Sequence, residues 1–244
     1  MTADRRGGNT AAIGLVTRER ILDVAEKLFA EKGPEAVSVR AIAMAADVNI
    51  GAMNYHFGTK ERLFEQIFRR RVVPLNEERL RMLDDLIASA PSGIPTLEQI
   101  LTALITPPLR FSATASGSAR ALVVMQFLGH AFSSPNEGAF LETYYEEVRT
   151  RFIGILQQVC PQLSIPEIVF RYNFVIGAVT YAMGGPARMS RLPKGMAKAT
   201  SAAPLSVDEA IQEFIALAIA SFRQPPESHT ISAKTRKVRR LRSA

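Results

Sequence analysis

The 244-residue chain is poor in the residues that carry most protein chemistry. It has one cysteine (Cys160), no tryptophan and three histidines. A single cysteine excludes a disulfide framework and a thiolate zinc site, and it fits a reducing cytoplasm. His56, His130 and His229 are too scattered along the chain for a metal site, and Cys160, just before Pro161, reads as an inert apolar residue. No phosphate-binding glycine loop or nucleophile elbow occurs. The chain is therefore not read as an enzyme, and no catalytic residue, cofactor or metal is expected. Apolar runs end after about ten residues, half of what a bilayer span needs, so no membrane partner is expected. Met1 to Asn9 carries charges with no apolar run behind them, which predicts no secretory signal. Strand signals are scarce too: no Asn-Gly or Asp-Gly pair joins alternating segments.

Positive charge is what the chain has in excess, with a net of +7 from 30 Lys/Arg and 23 Asp/Glu. The excess is uneven. Residues 1–75 hold 12 basic and 9 acidic residues, residues 76–225 hold 12 and 13, and residues 226–244 hold 6 and 1. The pattern predicts a mildly basic head, a neutral body and a basic tail. A case for nucleic acid must therefore rest on head or tail residues, not on the total.

Helical spacing is widespread, and the chain reads as all-α with about nine or ten helices. Residues 1–16 are small and polar and read as a flexible arm. Thr17 is placed as the cap of a first helix whose stripe is Ile21, Leu22, Ala25, Leu28 and Phe29, ending at Gly33-Pro34. Ser38 caps a short second helix, Val39 to Ala45. Asp47-Val48-Asn49 makes a tight turn, and Asn49 caps a third helix to about His56. Thr59 caps a fourth, Lys60 to Val73, which Pro74 closes. The domains expected are thus the arm (1–16), a head of short helices (17–74), a body (75–224) and a disordered basic tail (225–244). Body helices are predicted at 75–90, 96–106, 118–131, 137–159, 166–183 and 206–222, with Pro107-Pro108 among the separators.

Two short helices joined by so few residues cross steeply, and the second projects from the surface. That is helix-turn-helix geometry, whose second helix fits a major groove about 12 Å wide. Val39, Ile42, Ala43, Val48 and Met53 then pack inward on Leu22, Ala25 and Phe29. Gly51 and Ala52 are small enough for close approach to base edges.

Residues 18–64 resemble the DNA-binding domain of the TetR (tetracycline-repressor) family. The likeness is carried by Ile21-Leu22-Asp23-Val24-Ala25-Glu26-Lys27-Leu28-Phe29, by Val39-Arg40-Ala41-Ile42-Ala43 and by Tyr55-His56-Phe57-Gly58-Thr59-Lys60-Glu61. The segment after Lys60, including Phe68-Arg69-Arg70-Arg71, resembles a subgroup with regulators of fatty-acid metabolism. The resemblance implies a homodimer on a palindromic DNA operator, and a helical body that binds a small-molecule effector and pairs with its twin through the last two helices. Carried over by position, Asn49, Gly51, Ala52, Asn54 and Tyr55 face DNA. Ile50 and Asn54 depart from the family's usual polar and aromatic residues, so base preference does not carry over. An amide such as Asn54 can pair with adenine. Tyr55, His56 and Lys60 suit phosphates, as do Thr17, Arg18, Ser38 and Arg40 at helix starts.

In the body, aromatic and isolated polar residues are candidates for an effector pocket: Phe111, Arg120, Met125, Phe127, His130, Phe140, Tyr144, Arg149, Phe152, Arg171 and Asn173. An arginine beside an apolar pocket can take a carboxylate or phosphate, though interhelical ion pairs are its commoner use. The expected effector is hydrophobic or amphipathic, with a fatty acid or acyl-CoA among the choices. The dimer face implied is Ile168, Tyr172, Val175, Val179 and Met183 with Ile211, Phe214, Ile215, Ala218 and Phe222. A ligand-released repressor is the expected function, and a constitutive or architectural DNA-binding protein is the alternative.

Overall fold

The computed structural model describes residues 5–113, 117–132, 137–183 and 205–224. Those residues form nine helices and no strand: α1 (Arg5–Lys32), α2 (Val39–Ala45), α3 (Ile50–Phe57), α4 (Lys60–Ser89), α5 (Leu97–Ala113), α6 (Gly117–Phe132), α7 (Glu137–Val159), α8 (Ile165–Ala182) and α9 (Val207–Arg223). The tail predicted at 225–244 lies outside the described residues.

Local chemistry sets the ends of the short helices. The side chains of Ser38, Asn49 and Thr59 accept hydrogen bonds from the backbone N–H groups of Ala41, Ala52 and Arg62, satisfying donors that a helix start leaves open. Gly33 stops α1 with φ at 77°, a left-handed value glycine adopts readily. Asp47 takes φ of 51° in the turn between α2 and α3, which a short polar side chain tolerates.

Three predicted boundaries are corrected. Helix α1 begins at Arg5, so residues 5–16 are helical and Thr17 lies inside the helix instead of capping it. Helix α4 runs unbroken through Pro74 for 30 residues, roughly 45 Å at 1.5 Å per residue. Pro74 is exposed, so its ring stands on the outward side of the helix and not in the core. Helix α5 likewise passes through Pro107 and Pro108. In both cases burial of the flanking apolar stripe outweighs the lost hydrogen bonds.

The head core joins Ile21, Leu22, Ala25 and Phe29 of α1 to Ile42 and Ala43 of α2, Met53 and Phe57 of α3, and Leu63, Phe64 and Ile67 of α4. Val123 of α6 is buried in this same cluster, and Phe127 packs against it. The body core gathers Leu83, Leu101, Leu104, Phe152, Leu156, Ile168, Ile215 and Phe222 from α4, α5, α7, α8 and α9. Between the two lies a third cluster, where Phe68 stacks on Phe127 at 4.2 Å and meets Tyr144 edge-on at 5.4 Å.

One ionic knot fastens α1 to α4. Glu26 is buried, and its carboxylate accepts from Arg70 Nη2 at 2.5 Å and from Arg71 Nε and Nη2 at 2.7 and 2.6 Å. Arg70 also meets Asp23 at 2.8 Å and Glu19 at 3.2 Å, so removing Glu26 strands the charge of Arg71, and breaking a buried pair costs about 3–5 kcal/mol. Glu26→Ala is expected to lower the unfolding free energy by about that much. Arg81→Ala, which breaks only exposed pairs with Glu78 and Asp85, should leave the urea midpoint nearly unchanged.

Candidate DNA-binding surface and effector cavity

Helix α3 buries Met53 and Phe57 and turns its other side outward. Ile50, Gly51, Asn54 and Tyr55 are exposed, Tyr55 at 87%, while Ala52 and His56 are half-buried. The Tyr55 and His56 rings meet edge-on at 5.2 Å. Asn49 is committed to capping: its Oδ1 accepts from Ala52 N at 2.7 Å. A Cβ on Gly51 would press on that oxygen at 3.1 Å, so glycine leaves room for the cap.

The basic candidates divide. Arg40 is exposed and makes no ion pair among the described residues. Ser38 stands beside it at the start of α2. Arg18 is drawn inward instead: its guanidinium meets Glu19 and Gln66, each at 3.0 Å, and sits over the Phe57 ring. Lys60 donates from Nζ to the Pro34 carbonyl at 3.1 Å, closing the loop between α1 and α2. Thr17, in mid-helix, offers no helix-start amide to a phosphate. Arg18 is held by packing of α1 on α4, Lys60 by the α1–α2 loop and Thr17 by the early start of α1, none of which sequence spacing reveals. Arg62, exposed in the first turn of α4 and without an ion pair among the described residues, is a cation sequence reasoning passed over.

In the body a cavity of about 610 Å³ opens between α4, α5, α6, α7 and α8. Of the predicted effector residues it brings together Met125, Arg149 and Asn173. Phe152 is wholly buried in the body core away from it. Phe127 stacks between head and body, and Phe111 packs in the same intermediate cluster. Tyr144 donates its hydroxyl to Glu65 Oε1 at 2.5 Å, and burial raises its pKa from the ordinary phenol value. Arg171 donates to the Ser221 and Gln224 carbonyls, satisfying the end of α9. Arg120 does not line the cavity. The side chains of His130 and Phe140 lie outside the described residues.

In the cavity, sequence reasoning missed the cation Arg79. It lines the cavity, yet it is buried to 5% exposure. Pro108 has no N–H for the carbonyl of Leu104, four residues back, and Arg79 Nε donates to that oxygen at 2.9 Å. Its Nη1 donates to Asn76 Oδ1 at 3.0 Å, and Asn76 Nδ2 donates to the Tyr144 carbonyl at 2.8 Å. Burial lowers the pKa of the Arg79 guanidinium, with the Tyr172 and Tyr145 phenols opposing. A signal was present: Val72, Asn76, Arg79 and Leu83 share one buried stripe of α4, so a cation stands at an inward position.

The predicted dimer face is largely interior to the subunit, and of its residues Val175, Phe214 and Ala218 line a surface groove. Ile168, Tyr172, Val175, Val179, Met183, Ile211, Ile215, Ala218 and Phe222 are buried within the subunit, and Phe214 packs against its core. Tyr172, Val179 and Met183 line the cavity. The outward stripe is the other one: Phe170 at 73%, Phe174 at 67% and Tyr181 at 49% on α8, with Leu217 at 69% on α9. Phe174 and Leu217 border a groove of about 400 Å³.

A projecting helix-turn-helix on a helical body with an internal cavity defines a DNA-binding regulator. Residues 21–67 match the family described as bacterial regulatory proteins, tetR family, and residues 102–221 match the tetracyclin repressor-like C-terminal domain. The chain belongs to the TetR family of transcriptional regulators, not to an enzyme family. It is 27% identical over 178 residues to the transcriptional repressor KstR2 of Mycolicibacterium smegmatis, covering 69% of this chain and 81% of that protein. KstR2 of Rhodococcus jostii is 34% identical over 85 residues, 35% of this chain and 40% of that protein. The solved ketosteroid transcriptional regulator KstR2 of Mycobacterium tuberculosis shares the fold, with a TM-score of 0.55 at 18% identity over 83% of this chain and 93% of that one. No described helix is long and apolar enough to cross a membrane.

Phe152→Ala tests the reassignment of that ring to the core. A fully buried Phe truncated to Ala costs about 3–5 kcal/mol, and urea unfolding should show a loss of that size.

Proposed function

We propose that the protein is a ligand-released repressor that binds a palindromic operator as a homodimer. Asn54 and Tyr55, on the outward side of α3, meet base edges and backbone, with Gly51 and Ala52 allowing close approach. Asn49 acts chiefly by fixing the start of that helix. Ser38, Arg40, His56 and Arg62 hold phosphates. The observation that carries the regulatory part is the position of α6. Its residues Val124, Met125 and Leu128 line the cavity, while Val123 and Phe127 sit in or against the head core. A molecule that favours a different setting of α6 must shift the head, and operator affinity falls by its differential affinity for the two settings. The same cavity weighs against a constitutive architectural factor, which needs none.

The homodimer pairs through Phe170, Phe174, Tyr181 and Leu217, an isologous use of the exposed stripe. The effector has an apolar body, in keeping with a wall built mostly of aliphatic and aromatic side chains. Selection of bound fragments from genomic DNA tests the reading. An inverted repeat with half-sites one turn apart, about 34–36 Å, is the expected result, and sequence-independent recovery would overturn it.

Arg40→Ala should weaken operator and non-operator binding alike and flatten the dependence of log K on log salt by about one unit. Lys60→Ala, whose ammonium serves the Pro34 carbonyl, should lower thermal stability and change that slope less. Leu217→Glu should convert the dimer to monomer in analytical ultracentrifugation, whereas a variant that remains dimeric would refute the interface.

A further inference from the structure

Pro108 explains why a hydrogen-bond donor must approach the Leu104 carbonyl. It does not explain why the donor is charged, since a neutral amide would satisfy the same oxygen. Arg79 uses Nε and one Nη1 proton on two neutral acceptors, which leaves three of the five guanidinium N–H groups. No carboxylate pairs with it among the described residues. Among the described residues the cavity wall carries a second cation, Arg149, and neither Asp nor Glu. The other polar groups on the wall are neutral: Tyr145, Tyr172, Tyr181, Asn173 and Thr180. A guanidinium buried without an anion is costly, and the cost is recovered when an anion arrives in hydrogen-bonding geometry. The cavity volume lies within the usual range for small-molecule sites, about 300–1,000 Å³, and favours a compact anionic group on an apolar body.

We propose that the cavity binds a free carboxylic acid, whose carboxylate pairs with the Arg79 guanidinium while its apolar body lies along α6 and α8. This rests on the cavity being the effector site. Arg149 adds a second, less buried positive charge. Charge-assisted pairs of this kind are forked and about twice as strong as neutral hydrogen bonds, so esterifying the acid removes the interaction that selects it.

The test uses the full chain and a panel of straight-chain acids from octanoate to hexadecanoate with mono- and polycyclic carboxylic acids, each beside its methyl ester and its coenzyme A thioester. Binding is read by calorimetry and by the rise in melting temperature. At least one acid should bind at least about tenfold more tightly than its ester and its thioester, the margin expected of a hydrogen bond to a charged group. Arg79→Gln should abolish that preference, and Arg149→Gln should reduce it by a smaller factor. If Arg79→Gln does not fold, the comparison of acid with ester on the unaltered chain decides. Esters or thioesters that bind as well as the acids would overturn the proposal. If those ligands, the neutral methyl esters included, also release operator DNA, the sensor reading survives its failure. Acids that bind through Arg79 without changing operator affinity would support the acid site and sink the sensor reading. A panel in which nothing binds would overturn both.

Discussion

Helix α4 has to serve two cores at once, and much of the molecule is arranged around that demand. Its first half gives Leu63, Phe64 and Ile67 to the head, its middle gives Phe68 and Val72 to the joint, and its last part gives Leu83 to the body. A helix shared in this way cannot bend freely where it passes from one core to the next. Pro74 sits at that passage and is tolerated because it faces solvent. Glu26 with Arg70 and Arg71 pins the helix to α1 just before the passage, and Asn76 with the Tyr144 carbonyl pins it to α7 just after. The head therefore inherits its orientation from the body through a strut fixed on both sides of its weakest residue.

The same economy appears in α5. Two consecutive prolines deprive the helix of two N–H donors, and the carbonyl freed by Pro108 lies in the interior, where water does not help. Arg79 reaches it from α4. The bond closes α4 onto α5 and places a charge on the cavity wall in a single step. Stability of the body and chemistry of the cavity are thus tied to one side chain, which is why the two cannot be varied independently there.

Much of this was legible in the sequence wherever local chemistry decides. Ser38, Asn49, Thr59 and Gly33 ended or began helices as their side chains and dihedral freedom dictate, and the head core emerged from the spacing of Leu22, Ala25, Phe29, Ile42 and Met53. Proline misled at two places, Pro74 and Pro107-Pro108, because its local cost is fixed while the burial that offsets it is tertiary. The paired faces of α8 misled for another reason. That helix is apolar nearly all round, with Ile168, Tyr172, Val175 and Val179 on one stripe and Phe170, Phe174 and Tyr181 on another. Periodicity finds both stripes and does not say which is inside. The cavity was the least legible part, since five helices must meet before Met125, Arg149 and Asn173 face the same space as Arg79.

Val123 carries a consequence for how such a protein can change over generations. A residue counted in the middle of the body chain completes the core of the head. The DNA-reading unit is therefore not a cassette that recombination can exchange whole. A graft of residues 17–74 onto a foreign body would leave a hole where the Val123 side chain stood, unless the recipient's sixth helix filled it. Exposed positions of α3 such as Asn54 and Tyr55 can change without touching that core, whereas Gly51 is held by the Asn49 cap. A change of body, by contrast, must carry one well-fitting methyl-bearing side chain across the boundary with it.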